Sequence, residues 1–318
     1  MSVMTREIIS VLLLLAVLAA LYTGEFLLLA VYALRKIKHK NTNRLLTRKP
    51  ALLLHALALI GILCFLYARF IEPYWLEVKT ITITTPKLTH SAIRIIQISD
   101  LHCDNKLRTE EKLVQIINSL HPDIIVFTGD SLNTASALPL FRQTMHNLDA
   151  KIAKLAVRGN FEARYWKKLD LFTGTGFEPL DADTVQLHNN GDTIYVTGLD
   201  CGNNLSPDSL LAALDPNCFS IFLYHKPDLI EDVNTARVDL YLCGHTHGGQ
   251  VALPFYGALI TLSKHGKKYE AGLYKVKNTL LYVNRGIGLE RRPAPQVRFF
   301  ARPEITLFEI QPASNPKL

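Results

Sequence analysis

Two long apolar segments open the chain. The first covers residues 8–34 and is interrupted only by Thr23-Gly24-Glu25, and the second covers residues 51–71 and contains His55 and Arg69. Each segment is long enough to cross a hydrocarbon core of about 30 Å, which needs roughly 20 helical residues. The pattern therefore predicts a transmembrane hairpin at the N-terminus.

The loop between the two apolar segments, residues 35–49, is strongly basic. It contains seven Lys or Arg and no acid, which equals the net charge of +7 of the whole chain, so the remainder is formally balanced. A basic face for nucleic acid is therefore not expected. Short basic loops face the cytoplasm, so two complete spans would leave the C-terminal part across the membrane from the loop. The charged residues within the apolar segments leave a shallower, interfacial arrangement open.

From residue 77 the pattern becomes that of an α/β domain. Residues 78–84 alternate apolar and polar side chains with period two, which is typical of an amphipathic strand. Further strands are predicted at 93–98, 123–127, 154–157, 193–196, 219–224 and 238–242, and helices at 109–120 and 141–148. We divide the chain into a membrane anchor (1–76), an α/β domain (77–312) and a loose tail (313–318).

Five polar clusters follow predicted strands. At the carboxyl edge of a sheet, such side chains are expected to meet in one cleft. Hard oxygens mixed with imidazoles suit Mn, Fe, Zn or Mg better than a calcium or thiolate site, and one bridging carboxylate holds two cations roughly 3.5–4 Å apart. The candidate ligands are Asp100, His102, Asp130, Asn160, His225, His245 and His247.

The composition indicates contact with lipid, and the cysteines do not indicate a disulfide-rich protein. The 318 residues are 48% hydrophobic, which is high for a soluble protein and agrees with contact with the lipid bilayer. The five cysteines contain no CxxC pair and are odd in number, so they do not suggest a disulfide framework. We interpret Cys103 and Cys243, which lie beside candidate ligands, as small buried residues at strand ends.

The ordered clusters resemble the calcineurin-like metallophosphoesterases. That family has the pattern D-x-H, G-D, G-N-H-[DE], a single H, and G-H-x-H, and the similarity covers roughly residues 93–310. The pattern stands here as Asp100-Leu101-His102, Gly129-Asp130, Gly159-Asn160-Phe161-Glu162, His225 and Gly244-His245-Thr246-His247. The resemblance implies a four-layer α-β-β-α sandwich of two mixed sheets, preceded here by the transmembrane hairpin.

The same resemblance implies a site with two divalent metal ions. Manganese is the first expectation, with iron, zinc or magnesium as alternatives. By resemblance, Asp130 bridges the two ions; Asp100, His102 and His247 bind one, and Asn160, His225 and His245 bind the other. Two such cations lower the pKa of a bound water, so hydroxide becomes available to attack phosphorus near neutral pH.

One position departs from the family pattern. The family has a histidine after the asparagine, where it contacts the phosphate and protonates the leaving group, but this chain has Phe161. Three hypotheses follow: an inactive metal-binding scaffold, a displaced acid such as His188 or His265, or a leaving group that needs no proton. A phosphate is already a good leaving group, so we favour a diphosphate substrate. Arg158 and Arg164 are candidates for gripping its phosphate.

The hairpin and the phenylalanine together resemble a membrane-linked branch of the family, the chlamydial-type UDP-2,3-diacylglucosamine pyrophosphatases of lipid A synthesis. This resemblance implies an amphiphilic substrate at the bacterial inner membrane. The alternative is an envelope-facing phosphodiesterase or phosphatase, because a cytoplasmic UDP-sugar conflicts with a domain across the membrane from the basic loop. Gly- and Arg-rich segments at 285–288 and 291–293 are candidates for holding a diphosphate or a nucleotide.

Overall fold

The structure is a computed structural model that describes residues 2–42, 44–233, 236–290 and 295–313. Its first two helices, α1 (Val3–Ile37) and α2 (Lys49–Phe70), are both long and apolar enough to cross a membrane. Most of the large hydrophobic side chains that remain exposed lie on these two helices, as expected for surfaces that face lipid. The predicted hairpin is confirmed, and it makes the protein membrane-associated.

The polar residues within the hairpin pair with each other. A carboxylate oxygen of Glu25 lies 2.7 Å from Nδ1 of His55, and the hydroxyl of Tyr22 donates to the carbonyl of Ala58 at 3.2 Å. Polar groups in a hydrocarbon environment require such partners. These contacts explain how Glu25 and His55 are accommodated, and they set α1 and α2 antiparallel at a defined offset.

The first of two six-stranded mixed sheets contains the strands before residue 180 and the last strand of the chain. Its strands are β1 (Glu77–Thr85), β2 (Ile93–Ile98), β3 (Ile124–Phe127), β4 (Ala153–Ala156), β5 (Glu178–Pro179) and β14 (Glu304–Pro312). They lie in the order β1-β14-β2-β3-β4-β5. The pair β14 and β2 is antiparallel, and the other neighbours are parallel.

The second sheet contains the strands between residues 183 and 283. Its strands are β6 (Asp183–Asn189), β7 (Asp192–Leu199), β8 (Phe219–Tyr224), β9 (Leu240–Cys243), β12 (Gly272–Val276) and β13 (Thr279–Val283). Their order is β12-β13-β9-β8-β7-β6, with antiparallel pairs at both edges and parallel strands between them. A separate small hairpin joins β10 (Ala252–Leu253) to β11 (Gly257–Ala258).

Helices cover the outer faces of the two sheets. The α-helices of the domain are α3 (Glu110–Ser119), α4 (Leu138–His146), α5 (Asn160–Tyr165) and α6 (Pro207–Leu211). Short 3₁₀ turns occupy Glu72–Tyr74, Ala135–Ala137, Pro227–Leu229, His247–Gly249 and Gly266–Tyr269. The predicted helix at 141–148 begins earlier, at Leu138, because a proline is accepted in a first helical turn.

The period-two pattern of the strands explains the layers. In β2, Ile96 and Ile98 pack with Leu113 of α3 on the outer face of the first sheet. Ile93 and Ile95 point the other way, into the core that the two sheets share. A third cluster covers the outer face of the second sheet. The result is the predicted four-layer α-β-β-α sandwich.

The last strand of the described residues ends at the predicted end of the domain. Strand β14 continues to Pro312, and the backbone N–H of Ala313 donates to the carbonyl of Thr85 at 2.9 Å. The remaining residues of the predicted tail, 314–318, lie outside the described residues.

The anchor contacts the α/β domain at the ends of both helices. The carboxylate of Glu7 in α1 is buried and accepts hydrogen bonds from the hydroxyl and backbone N–H of Thr261 at 2.6 and 3.2 Å. At the end of α2, the carbonyl of Ala68 accepts from the backbone N–H of Arg298 at 2.9 Å. The buried carboxylate of Glu72 accepts from the backbone N–H of Ala301 at 2.6 Å. The hairpin is therefore attached to the domain through specific polar contacts.

Candidate dinuclear metal centre

Backbone hydrogen bonds bring together the loops that follow the strands of both sheets. The N–H of Asp100 donates to the carbonyl of Gly129 at 2.8 Å, and the N–H of His102 donates to the carbonyl of Asp130 at 3.1 Å. Across the two sheets, the N–H of His245 donates to the Asp100 carboxylate at 3.1 Å. The cleft predicted at the carboxyl edges of the strands is thus formed by loops that are directly connected.

The candidate ligands form two groups. Asp100, His102 and His247 make one group, and Asp130, His225 and His245 make the other; within each group the donor atoms lie within 4.8 Å of one another. Oδ2 of Asp130 lies 3.6 Å from Nε2 of His102 and 3.2 Å from Nε2 of His225. Asp130 therefore stands between the two groups, where a bridging carboxylate is needed.

Unpaired polar atoms show that the residues fit metal ions. Both ring nitrogens of His102, Nε2 of His225 and Oδ1 of Asn160 are buried without a hydrogen-bond partner among the described residues. Buried polar atoms normally have partners. Nδ1 of His225 contacts the carbonyl of Thr128 at 2.7 Å, and Nε2 of His245 contacts that of Leu262 at 3.1 Å. When these nitrogens carry the proton, the other nitrogen of each ring is free to bind a cation.

The backbone of the site is strained. Asp100, His102, Asp130, His245 and His247 all have positive φ angles, from 39° to 72°. Such conformations cost free energy in residues other than glycine and collect at functional sites. Gly129, with φ at 96°, has no room for a side chain, because an added Cβ would lie 2.6 Å from the backbone of Gly159. The strain agrees with a site built for binding rather than for stability.

A buried carboxylate stabilises two of these loops. Glu162 accepts hydrogen bonds from the backbone N–H groups of Asp130 at 3.0 Å and Gly159 at 2.7 Å. It also accepts from the N–H and hydroxyl of Ser131, each at 2.5 Å. The acid that ends the G-N-x-E motif thus holds the Asp130 and Asn160 loops together, a role that the sequence analysis did not assign.

Comparison with known proteins identifies the family. The family described as calcineurin-like phosphoesterase matches residues 93–249. The metallophosphoesterase YkuE of Bacillus subtilis is 36% identical over 263 residues, which cover 77% of this chain and 89% of YkuE. The chain belongs to the calcineurin-like phosphoesterase family. It is accordingly a metal-dependent hydrolase of phosphoester bonds, and the family's dinuclear metal dependence agrees with the two groups of candidate ligands.

Two further relatives of this phosphoesterase are named for an enzymatic activity. UDP-2,3-diacylglucosamine pyrophosphatase LpxG of Chlamydia trachomatis is 29% identical over 311 residues, which cover 77% of this chain and 92% of LpxG. Phosphodiesterase YaeI of Escherichia coli is 26% identical over 261 residues, which cover 77% of this chain and 92% of YaeI.

Electrostatics keep two of the phosphoesterase's candidate ligands neutral. Burial and the neighbouring His247 lower the pKa of His102 to about 3, and burial and the neighbouring His225 lower the pKa of His245 to about 3. Burial alone would lower the pKa of His225, but Asp130 and Asp100 outweigh it and raise the value to about 9. A cation binding at His225 must therefore displace a proton.

The phenylalanine at the position of the family histidine lies directly against the site. The ring of Phe161 meets the ring of His102 edge-on, with 4.6 Å between the ring centroids, and it also contacts Tyr165 at 5.4 Å. Its backbone N–H donates to Oδ1 of Asp130 at 2.9 Å. Position 161 thus places an apolar ring, with no proton to donate, beside a candidate metal ligand.

The two arginines proposed to replace that histidine make other contacts. The guanidinium of Arg158 donates to the carbonyls of Lys167 and Leu169 at 3.2 and 3.3 Å. Arg164 is exposed and lies over the ring of Tyr165, 5.1 Å from its centroid. These contacts use two of the five N–H donors of Arg158, and its role in phosphate binding stays a prediction.

The two histidines considered as displaced acids lie in different parts of the domain, His188 on the second sheet and His265 in a turn before β12. His188 is exposed on β6, the edge strand, and β6 is separated from β9 by two strands, which corresponds to roughly 14 Å. This distance argues against His188 as the acid. Nε2 of His265 lies 3.2 Å from the carbonyl of Asp228, close to the turn after His225.

The structure describes the first of the two Gly- and Arg-rich segments, residues 285–288. The guanidinium of Arg285 forms ion pairs with Glu304 at 2.6 Å and with Glu77. Those contacts use the charge for packing within the domain. The second segment, residues 291–293, lies outside the described residues.

Glu290 is a further carboxyl group at the site, and none of the sequence motifs indicated it. It lines one pocket together with His245 and His247. Burial raises the pKa of Glu290 above its ordinary range, with the nearby His247 acting in the opposite direction. A carboxyl group whose pKa is raised keeps its proton to a higher pH than an ordinary carboxyl group does, which favours a role as an acid. Its position directly after Gly286-Ile287-Gly288-Leu289 was the signal available in the sequence.

Asp200, which contacts the loop before Asn160, makes the stability of the fold depend on pH. Burial raises the pKa of Asp200 to about 7, although its hydrogen bond from the backbone N–H of Arg158, at 2.6 Å, acts against this. The folded protein then binds a proton that the unfolded chain releases near pH 4. Between about pH 4 and about pH 7 the unfolded chain has lost this proton while the folded protein still holds it. The free energy of unfolding therefore falls as the pH rises through this range.

Asp200→Asn keeps the acceptor but removes the charge. We expect the metal-free variant to match the parent in free energy of unfolding at pH 4 and to exceed it at pH 8 by roughly 1–3 kcal/mol. Urea unfolding at the two pH values measures the difference. The same difference at both pH values would contradict the assigned pKa.

Proposed function

We propose that the protein hydrolyses the diphosphate bond of an amphiphilic substrate at the bacterial inner membrane, with UDP-2,3-diacylglucosamine as the first candidate. The observation that carries the proposal is Phe161, whose ring occupies the position of the family's proton donor and contacts His102. Without that donor, a leaving phosphate is cleaved far more easily than an alkoxide. The similarity to a UDP-2,3-diacylglucosamine pyrophosphatase supports the same substrate class.

In this proposal the seven candidate ligands hold two divalent cations, with manganese as the first choice. Asp100, His102 and His247 hold one, Asn160, His225 and His245 hold the other, and Asp130 bridges them. When bound, such cations neutralise phosphoryl oxygens and acidify water near neutral pH.

The remaining residues position these groups. Glu162 fixes the Asp130 and Asn160 loops through backbone hydrogen bonds. The carbonyls of Thr128 and Leu262 orient the rings of His225 and His245. Phe161 and Tyr165 cover one side of the site and restrict the access of bulk water.

The second candidate is a phosphodiesterase that faces the cell envelope. The contacts of Glu7 and Ala68 place the domain at one end of the hairpin, and the basic loop connects the helices at the other end. If that loop is cytoplasmic, the domain lies across the membrane, away from cytoplasmic UDP-sugars. Glu290 would then supply the proton that an alkoxide leaving group needs. The similarity to phosphodiesterase YaeI agrees with this candidate.

One experiment separates the two candidates. The full-length protein, purified in detergent with Mn²⁺, is assayed on UDP-2,3-diacylglucosamine and on bis(p-nitrophenyl) phosphate. The first candidate requires a higher kcat/KM on the diphosphate and little loss in Glu290→Gln. The second requires the reverse preference and a loss of roughly 10²-fold in Glu290→Gln on an alkyl phosphodiester. Protease protection in inverted membrane vesicles reports independently on which side the domain lies.

We further propose that residues 77–312 form the catalytic unit and residues 1–76 its anchor. A chain that begins at Glu77 retains every candidate ligand, so we expect it to bind metal and to cleave a water-soluble substrate. It loses Glu7, Ser10 and Glu72, so the segments at 256–261 and 300–301 lose their partners. We expect the free energy of unfolding to fall by roughly 1–3 kcal/mol and activity on lipid in bilayers to fall more than tenfold.

The truncated chain is tested by metal analysis and by the two assays in parallel. Equal losses on soluble and lipid substrates would contradict a separate anchoring role. Failure to recover any folded protein would show instead that the hairpin belongs to the folding core.

A further inference from the structure

A largely apolar pocket of about 380 Å³ adjoins the candidate metal centre. Its polar lining residues include His245, His247 and Glu290. The membrane helix α1 contributes Val11, Leu14 and Leu15 to the apolar lining. Pockets for small organic ligands measure about 300–1,000 Å³, so this volume is sufficient for such a group. The pocket thus connects the candidate catalytic site with the helix that enters the bilayer.

Helix α1 is longer than a membrane span requires. Its 35 residues correspond to about 52 Å, whereas the 22 residues of α2 correspond to about 33 Å, close to the thickness of the hydrocarbon core. The pairs Tyr22–Ala58 and Glu25–His55 align the two helices so that α1 extends past α2 at both ends, and its N-terminal extension is the one that contacts the domain. At this alignment residues 11–15 are level with the last turn of α2, at the boundary of the bilayer.

The N-terminal turns of α1 are held on the domain by one face. Val3, Glu7, Ser10, Val11 and Leu14 are buried or half-buried, and the residues between them are exposed. This spacing of three and four residues defines one side of a helix. Besides the buried Glu7–Thr261 contact, the hydroxyls of Ser10 and Tyr256 lie 2.6 Å apart. The wall of the pocket is therefore fixed in place rather than loosely apposed.

The loop beside this helix also carries apolar side chains to the surface. Phe255 is fully exposed at the turn between β10 and β11, and its neighbour Tyr256 is partly exposed. The hydroxyl of Tyr256 contacts that of Ser10, so this loop adjoins the N-terminal part of α1. Exposed aromatic residues beside a membrane helix suit the membrane interface. The loop therefore adds apolar surface beside the helix that lines the pocket.

We propose that this pocket binds a hydrocarbon chain of the phosphate-bearing lipid substrate, with α1 as one wall and Leu259, Ile260 and Leu262 as the other. The chain enters from the bilayer along α1, while the phosphate group reaches the candidate metal ligands in the polar lining. The anchor then forms part of the substrate site as well as tethering it. The inference rests on the proposed amphiphilic substrate but not on its identity as UDP-2,3-diacylglucosamine.

Photolabelling tests this placement without relying on turnover. The probe is dodecyl phosphate with a diazirine at the end of the chain, added to the full-length protein in detergent with Mn²⁺, and the labelled peptides are mapped by mass spectrometry. We expect saturable labelling at the pocket-lining residues Val11, Leu14 and Leu15 of α1 and within residues 259–262. Each buried methylene is worth about fourfold in affinity, so dodecyl phosphate should compete at least tenfold better than butyl phosphate.

Two controls distinguish the substrate chain from bulk hydrocarbon. Dodecanol should compete at least tenfold less well than dodecyl phosphate, and chelation of Mn²⁺ should weaken labelling, because the phosphate end is held at the metal residues. Equal competition by dodecanol would show that the pocket takes any hydrocarbon from the bilayer and would overturn the proposal. Labelling confined to the exposed residues Leu12 and Leu13 would overturn it as well.

A matched pair of variants fills the pocket or leaves it open. Leu14→Trp places an indole in the pocket, and Leu13→Trp places the same group on the exposed side of the same turn. We expect Leu14→Trp to reduce labelling of residues 259–262 at least tenfold and Leu13→Trp to leave it unchanged. Ile260→Trp fills the pocket from the domain side and should act like Leu14→Trp even if the helix variant folds poorly. Equal labelling in all three variants would overturn the proposal.

The outcomes separate this inference from the proposed function. Specific labelling of the pocket together with no cleavage of UDP-2,3-diacylglucosamine would retain the chain site and reject that substrate. Cleavage of that substrate with unchanged KM in Leu14→Trp and Ile260→Trp would retain the function and reject the chain site.

Discussion

Asp130→Ala is expected to lose both metal ions and all measurable turnover. Oδ2 of Asp130 is the carboxylate oxygen that approaches both ligand groups, at 3.6 Å from His102 and 3.2 Å from His225. Its removal takes negative charge from both metal positions at once. Metal ions supply several kcal/mol of transition-state stabilisation, so activity should fall by at least roughly 10³-fold.

The measurement is metal content by elemental analysis beside kcat/KM on both substrates. Asp130→Asn is the matched variant, because it keeps an oxygen for the backbone N–H of Phe161 but loses the charge. We expect Asp130→Asn to lose metal as well, with the fold of both variants retained by circular dichroism. His247→Ala, which removes a ligand from one group only, should keep one ion. Full metal occupancy in Asp130→Ala would refute the bridging role.

Phe161→His is expected to gain activity on an alkyl or weakly activated phosphodiester by at least roughly tenfold. The ring at this position lies against His102, beside the candidate ligands, so an imidazole there would be placed to reach a bound phosphodiester. An imidazole has an ordinary pKa near 6.5, and general-acid catalysis is typically worth about 10²–10⁴-fold. A diphosphate substrate should gain little, because its leaving phosphate needs no proton.

Phe161→Leu is the control, since it removes the aromatic ring without adding a donor. It should show no gain on either substrate, and its pH–rate profile should lack any new titration that Phe161→His introduces. A lower rate for Phe161→His on the diphosphate would indicate that the native ring packs against that substrate. An equal gain on both substrates would contradict the link between Phe161 and a diphosphate leaving group.

The sequence alone was sufficient for several strands of the fold. The strands at 93–98 and 219–224 were predicted at their observed bounds, because each is a short apolar run followed by polar residues, a signal that depends only on neighbouring positions. The two membrane helices were equally predictable, since their signal is an uninterrupted apolar composition over a required length. The four-layer sandwich itself came by resemblance to the family, and the two sheets with their covering helices agree with it.

The sequence also contained the full set of candidate ligands. Asp100 and His102 follow β2, and His245 and His247 follow β9, so each lies where a parallel strand ends. Within one sheet the carboxyl ends of parallel strands share an edge, so position in the strand pattern predicts proximity there. Strands β2 and β9 belong to different sheets, and only the packing of the two sheets brings Asp100 and His245 together. The grouping of the ligands around Asp130 came by resemblance to the family, and the distances from Asp130 to His102 and His225 agree with it.

Only the tertiary structure shows which side chains outside the ligand set lie close to the site and which partners they have. Arg158 is a candidate for phosphate binding by its position next to Gly159, and only the structure shows that its guanidinium also donates to the carbonyls of Lys167 and Leu169. Glu290 was overlooked, yet it lines the pocket beside His247. Side-chain direction depends on the packing of surrounding loops, which no local pattern encodes.

The role of the anchor was decided by tertiary structure in the same way. By itself the sequence of α1 predicts a membrane helix whose acid at position 7 is an irregularity near its start. In the structure that acid is buried against Thr261, 254 positions away in the chain, and it holds one face of α1 over the pocket. Apolar composition determines that a segment enters the bilayer, whereas only contacts between distant segments determine which of its residues face the site.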